Sequence, residues 1–128
     1  MDKSETFIKQ CEKAEEMQEH KFEYGDYFGF PPKDKFKGHG VVTESCINVK
    51  NVIWLPRQDQ LQEMARENLD YTETIWGLHS AFFYKTKREE QYYSQNFTSM
   101  EQLWLAFVMK ERYSKIWNGE EWILNENL

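Results

Sequence analysis

The chain has 128 residues, 40% of them hydrophobic and 16% aromatic, with 30% charged side chains and only six glycines and three prolines. That length closes one compact core and falls short of two ordinary domains, so a single domain over 1–128 is expected, and the composition excludes a low-complexity or disordered protein. Twenty-two acidic against sixteen basic residues leave a net charge of −6; this speaks against nucleic acid as a partner, and no apolar run approaches membrane-spanning length.

The acidic excess lies at the start: residues 1–30 hold eight acidic and four basic side chains, residues 31–60 three and five. MDKSETFIKQ has no apolar stretch behind a basic segment, so no secretory signal is read and an intracellular location is expected. Asp2 and Glu5 stand at capping-box spacing ahead of Phe7, Cys11, Ala14 and Met17, which recur at helical intervals and predict a first helix to about His20. KFEYGDYFGFPP then reads as an extended segment closed by Pro31-Pro32, and KDKFKGHG as an exposed loop. Between Val41 and Leu55 the β-branched and apolar residues predict one or two strands, with Lys50-Asn51 as a turn and Pro56 as the end.

Asp59 stands ahead of Leu61, Met64, Ala65 and Leu69, predicting a second helix over about 58–69. Tyr71, Ile75, Leu78 and Phe82 predict a third over about 71–86, with Gly77 a weak point. Thr98 with Glu101, or Ser99 with Gln102, offers a cap directly before LWLAFVM, and seven consecutive apolar residues mark a fourth, central helix over about 99–113. KIWNGEEWIL reads as a hairpin around Asn118-Gly119. A four-residue loop, 118–121, pairs Trp117 with Trp122 and Ile116 with Ile123, placing like beside like, where a two-residue loop would set Trp117 against Glu120.

IWLPRQDQLQEM (53–64) and FTSMEQLWLAFVMKERYSKIWNGEEWI (97–123) resemble small uncharacterised proteins of phages and prophages of low-GC Gram-positive bacteria, over about a third of the chain. The mostly apolar helix running into a Trp-Asn-Gly…Trp hairpin also looks loosely like the small α/β sandwich domains of phage proteins. The resemblance transfers no activity to particular residues. It implies a setting: a phage accessory or early-expressed protein in the cytoplasm of the host cell.

Chemistry is sparse. His20, His39 and His79 lie nineteen and forty residues apart without metal-ligand neighbours, and Cys11 and Cys46 have no partner at metal or redox spacing, so no metal and no cofactor is expected. Cys46 and His39 form no recognisable nucleophile pair. Asp59-Glu63 and Glu120-Glu121 read as solvated or helix-dipole charges before they read as an acid–base pair. Lys33, Lys35 and Lys37 beside Gly38-His39-Gly40 could cradle a phosphate but lack Walker spacing, and a solvated loop is the favoured account of them. The Lys85, Lys87 and Arg88 cluster beside Tyr84, Tyr92 and Tyr93 is opposed by Glu89 and Glu90. No catalytic residues are named, and the reading leans away from an enzyme.

Five tryptophans, seven tyrosines and nine phenylalanines exceed what so small a core must hold, so some aromatic surface is expected to serve a partner or self-association face, the equal alternative being that these rings close a small tight core. Trp54, Arg57, Tyr92 and Tyr93 are the candidate contacts, with Lys35 and Lys37 added for a ligand. The fold expected is α+β: four helices around a small, mainly antiparallel sheet from segments near 22–30, 41–55 and the 114–124 hairpin. The function expected is a non-enzymatic phage or prophage accessory protein that binds a host or phage protein. The alternative is a small-ligand binder that sequesters a nucleotide signal through Arg57, aromatic stacking and the Lys33–Lys37 loop.

Overall fold

A computed structural model gives the arrangement of the chain and describes residues 1–33, 38–43, 51–67, 70, 72–74, 76 and 93–124, with only the backbone at Gln95. The architecture is α+β: helices pack on a three-stranded antiparallel sheet and on a C-terminal antiparallel hairpin. Helix α1 (Glu5–Lys13) is followed by a 3-10 helix (Glu15–Glu19), then β1 (Tyr27–Gly29), β2 (His39–Val41), β3 (Ile53–Leu55) and α2 (Gln58–Arg66). A second 3-10 helix (Tyr93–Asn96), α3 (Met100–Tyr113), β4 (Lys115–Trp117) and β5 (Trp122–Leu124) complete the described order. Of the helix expected over 71–86, residues 72–74 and 76 are helical; the rest of that span lies outside the described residues, as do Cys46, His79 and Leu69. Among the described residues no helix is long and apolar enough to cross a membrane.

The first helix is shorter than its periodicity predicts. Ser4, not Asp2, accepts the Phe7 N–H as N-cap, while the Asp2 carboxylate receives the Ser99 hydroxyl and the Gln102 amide and so ties the chain start to the N-terminus of α3. Helix α1 stops at Lys13, and the tighter 3-10 turn that follows keeps Met17 buried. Gln18, half-buried behind it, donates to the Cys11 carbonyl at 3.0 Å, the second donor there beside the Ala14 N–H.

In the first sheet β1 is central, pairing Phe28 with Gly40 of β2 and with Trp54 of β3. The Gly-His-Gly stretch expected as loop therefore supplies an edge strand. A Cβ at Gly40 would stand 2.6 Å from Cζ of the Phe28 ring that lies across it, so a larger residue there has to displace that ring. Helix α1 packs on β3, and α2 packs on α3.

Helix α3 carries Trp104 to Met109 as an unbroken buried run, so it is the central helix, capped by the Ser99 hydroxyl accepting the Gln102 N–H. It ends at Ser114 in the left-handed conformation (φ 55°), which turns the chain into β4. The hairpin has the four-residue loop, with Trp117 opposite Trp122 and Ile116 opposite Ile123. Most of the tryptophan surplus is spent inside: Trp54, Trp104, Trp117 and Trp122 are buried, whereas Trp76 and Tyr24 are exposed.

Candidate functional site

The 3-10 helix of residues 15–19, β3 and α2 meet around one buried carboxylate. Gly25, at φ 89°, closes a turn that places Asp26 inward, 2% exposed, beneath the Glu23 N–H, which donates to Oδ2 at 2.8 Å. His20 Nε2 lies 2.7 Å from the same oxygen, and Gln60 Nε2 donates to Oδ1 at 2.7 Å. Burial by itself would raise the Asp26 carboxyl, but the Glu23 N–H, the His20 imidazole and the Gln60 amide outweigh it and hold the group below its ordinary value.

The other partners fix orientation. The His20 ring stacks on the Trp54 indole, 3.7 Å between centroids and 14° between planes. Gln18 anchors that indole's backbone: its Oε1 accepts the Trp54 N–H at 2.8 Å and its Nε2 donates to the Trp54 carbonyl at 3.2 Å. Arg57 donates from Nη1 to the Gly25 carbonyl at 3.0 Å, lies 3.7 Å from Asp26 Oδ1, and pairs through Nε with Asp59 at 3.0 Å. That last hydrogen bond raises the guanidinium further and lowers the Asp59 carboxyl. Gln60 also accepts the Arg57 N–H at 2.8 Å, so the first turn of α2 and the Asp26 node share one amide.

Beside this node opens a groove of about 520 Å³, lined by His20, Trp54, Asp59, Gln60, Glu63, Met64, Glu67 and Arg112. Arg112 reaches Glu67 at 3.0 Å and joins α3 to the end of α2. The lining thus holds three carboxylates and one guanidinium together with Met64 and the His20–Trp54 stack. Among the described residues that line the groove, none carries a hydroxyl or a thiol. Among the described residues no group of three or more His, Cys, Asp or Glu side chains is arranged to hold a metal ion.

Of the residues singled out from sequence, Trp54 lines this groove, but as a 3%-exposed floor beneath His20 and not as a projecting ring. Arg57 adjoins it, held to Gly25, Asp26 and Asp59. Tyr93, 2% exposed, is a core residue whose hydroxyl accepts the Trp117 N–H at 2.8 Å, so it presents no surface ring. Tyr92, Lys35 and Lys37 lie outside the described residues. Sequence reasoning missed His20, Asp26 and Arg112, which are remote from α2 along the chain. The four-residue spacing of Asp59, Glu63 and Glu67 was the one visible signal of the acidic wall.

Comparison with protein-family models, with curated proteins and with solved structures finds no match to this chain.

Proposed function

We propose that this chain is a non-enzymatic binding protein that receives a segment of another protein in the groove along α2. The observation that carries the reading is the groove itself: open, floored by the clamped His20–Trp54 stack and Met64, and rimmed by charged side chains. An apolar floor with a polar rim is how a protein surface receives a peptide or an element of a partner. The floor is held before any partner arrives, because Gln18, Asp26 and Gln60 fix Trp54, His20 and the start of α2, and a preformed site loses less entropy on binding.

The phage or prophage setting rests on the sequence resemblance of 53–64 and 97–123, segments that contribute six of the eight lining residues: Trp54, Asp59, Gln60, Glu63, Met64 and Arg112. A nucleotide signal fits this groove less well than a protein segment does. Its phosphates would meet three carboxylates, and Arg57 is already engaged by Asp59, Asp26 and the Gly25 carbonyl.

Capture from host lysate, scored by stoichiometry, tests the reading with the tagged wild-type chain beside Met64→Lys, which places a long charged side chain in the floor. One protein retained near one-to-one by the wild type and lost by the variant, at unchanged melting temperature, is the expected result. Equal retention by both chains, or recovery of the bait alone, overturns it.

A further inference from the structure

Asp59, Glu63 and Glu67 recur every fourth residue and form one row on α2 and its C-terminal cap, all three lining the groove. The outer two are neutralised within the chain, Asp59 by Arg57 and Glu67 by Arg112, each at 3.0 Å. Glu63 stands between them, exposed, with no ion pair among the described residues. Carboxylates at this spacing repel one another, and an unpaired one between two paired ones is where an added cation gains most. Met64 lines the groove directly beside Glu63 in sequence and offers apolar surface to an aliphatic stem. Trp54 lines the same groove, 3% exposed, with an indole N–H that is shielded from solvent and has no hydrogen-bond partner among the described residues, so it serves as a reporter of the groove floor and not as a contact for the cation.

Resting on the protein-binding reading above, we propose that the occupant of the groove is a basic segment of a partner protein, with a lysine or arginine side chain set against Glu63 and its stem along Met64 and the His20–Trp54 stack. The chain's net charge of −6 draws a cationic partner from a distance and turns an acidic one away. Arg57 and Arg112 close the two ends of the carboxylate row, so the middle position alone is left for a cation from outside.

The test begins with a displayed library of random dodecapeptides selected on the wild-type chain, and continues with synthetic peptides of the selected sequences. Their binding is read from the Trp54 indole ¹H–¹⁵N resonance and by calorimetry at low and high salt. Selected peptides are expected to share a lysine or arginine, to shift the Trp54 signal, and to bind more weakly as salt rises. Glu63→Gln is expected to weaken them about fivefold and Glu63→Lys more than about tenfold, with melting temperature unchanged because Glu63 is exposed. Peptides that shift the Trp54 signal but carry no basic residue, or whose affinity Glu63→Gln leaves unmoved, overturn the basic-partner inference and leave the groove as a protein-binding site. If no selected peptide moves the Trp54 signal, both readings fall.

Discussion

The side-chain amide of Gln18 grips both main-chain polar groups of Trp54, accepting its N–H at 2.8 Å and donating to its carbonyl at 3.2 Å. Among the described residues strand β3 is an edge of its sheet, and an edge strand offers unpaired backbone groups to any other chain. A glutamine side chain has the same donor–acceptor pair as a peptide unit, so Gln18 covers this part of the edge as a neighbouring strand would.

Gln18→Leu is therefore expected to lower stability by about 1–2 kcal/mol, since it strips partners from Trp54 and from the Cys11 carbonyl together. It is also expected to make the protein associate in a concentration-dependent way through the bared edge. Denaturant melts and sedimentation velocity check the two effects separately.

Tyr93→Phe removes the acceptor of the Trp117 N–H inside the core. A buried donor left without a partner costs about 1–3 kcal/mol, against almost nothing for loss of a hydroxyl facing water. Thermal unfolding of the variant distinguishes these outcomes, and a melting point equal to wild type would show that Tyr93 does not hold the hairpin start.

Gln10 works in the opposite direction. Its side chain is fully buried on α1, and neither amide atom has a hydrogen-bond partner among the described residues, although its main-chain carbonyl accepts the Trp122 indole N–H at 2.8 Å. Gln10→Met keeps the length of the side chain and removes the desolvated amide, so a gain of about 1 kcal/mol is expected. The denaturation midpoint is the readout; a fall would mean that the amide is hydrogen-bonded in solution.

Acid should loosen the groove floor. The Asp26 carboxyl is held below its ordinary value of 3.8, so as pH falls the unfolded chain takes up the proton first, and the stability that Asp26 contributes drains away. That contribution is complete above about pH 5 and is lost as pH falls through the depressed folded value. Asp2, Glu16 and Asp59 are shifted in the same direction and add to the slope. Asp26→Asn is expected to cost about 2 kcal/mol at neutral pH and to flatten the acid limb. Melting temperatures from pH 3 to 7 for both chains measure this, and an unchanged acid limb would remove Asp26 from the account.

Much of the fold was legible because it is written in local periodicity. The seven apolar residues after Ser99 marked α3 as central, and matching Trp117 to Trp122 and Ile116 to Ile123 identified the hairpin register, since a different loop would have set tryptophan against glutamate. Local pattern misled where a long-range contact decided the matter. Phe7, Cys11, Ala14 and Met17 keep one helical stripe on paper, yet α1 ends at Lys13 and a 3-10 turn follows, its Gln18 held by β3. Gly38-His39-Gly40 looks like a loop until the Phe28 ring needs the space above Gly40.

The candidate site was the least legible part. Composition suggested an aromatic surplus for a surface, but the core took Trp54 and Tyr93, because the apolar area a buried ring removes from water favours packing it inside. By itself the sequence determined what depends on neighbours a few residues apart: the α+β class, the capped central helix and the hairpin register. Only the tertiary structure decided what depends on residues far apart in the chain. It brought His20 onto Trp54, seated Asp26 under Gln60, and set Arg112 against Glu67. Such contacts follow from how helices and sheet close on one core, and no spacing along the chain encodes them.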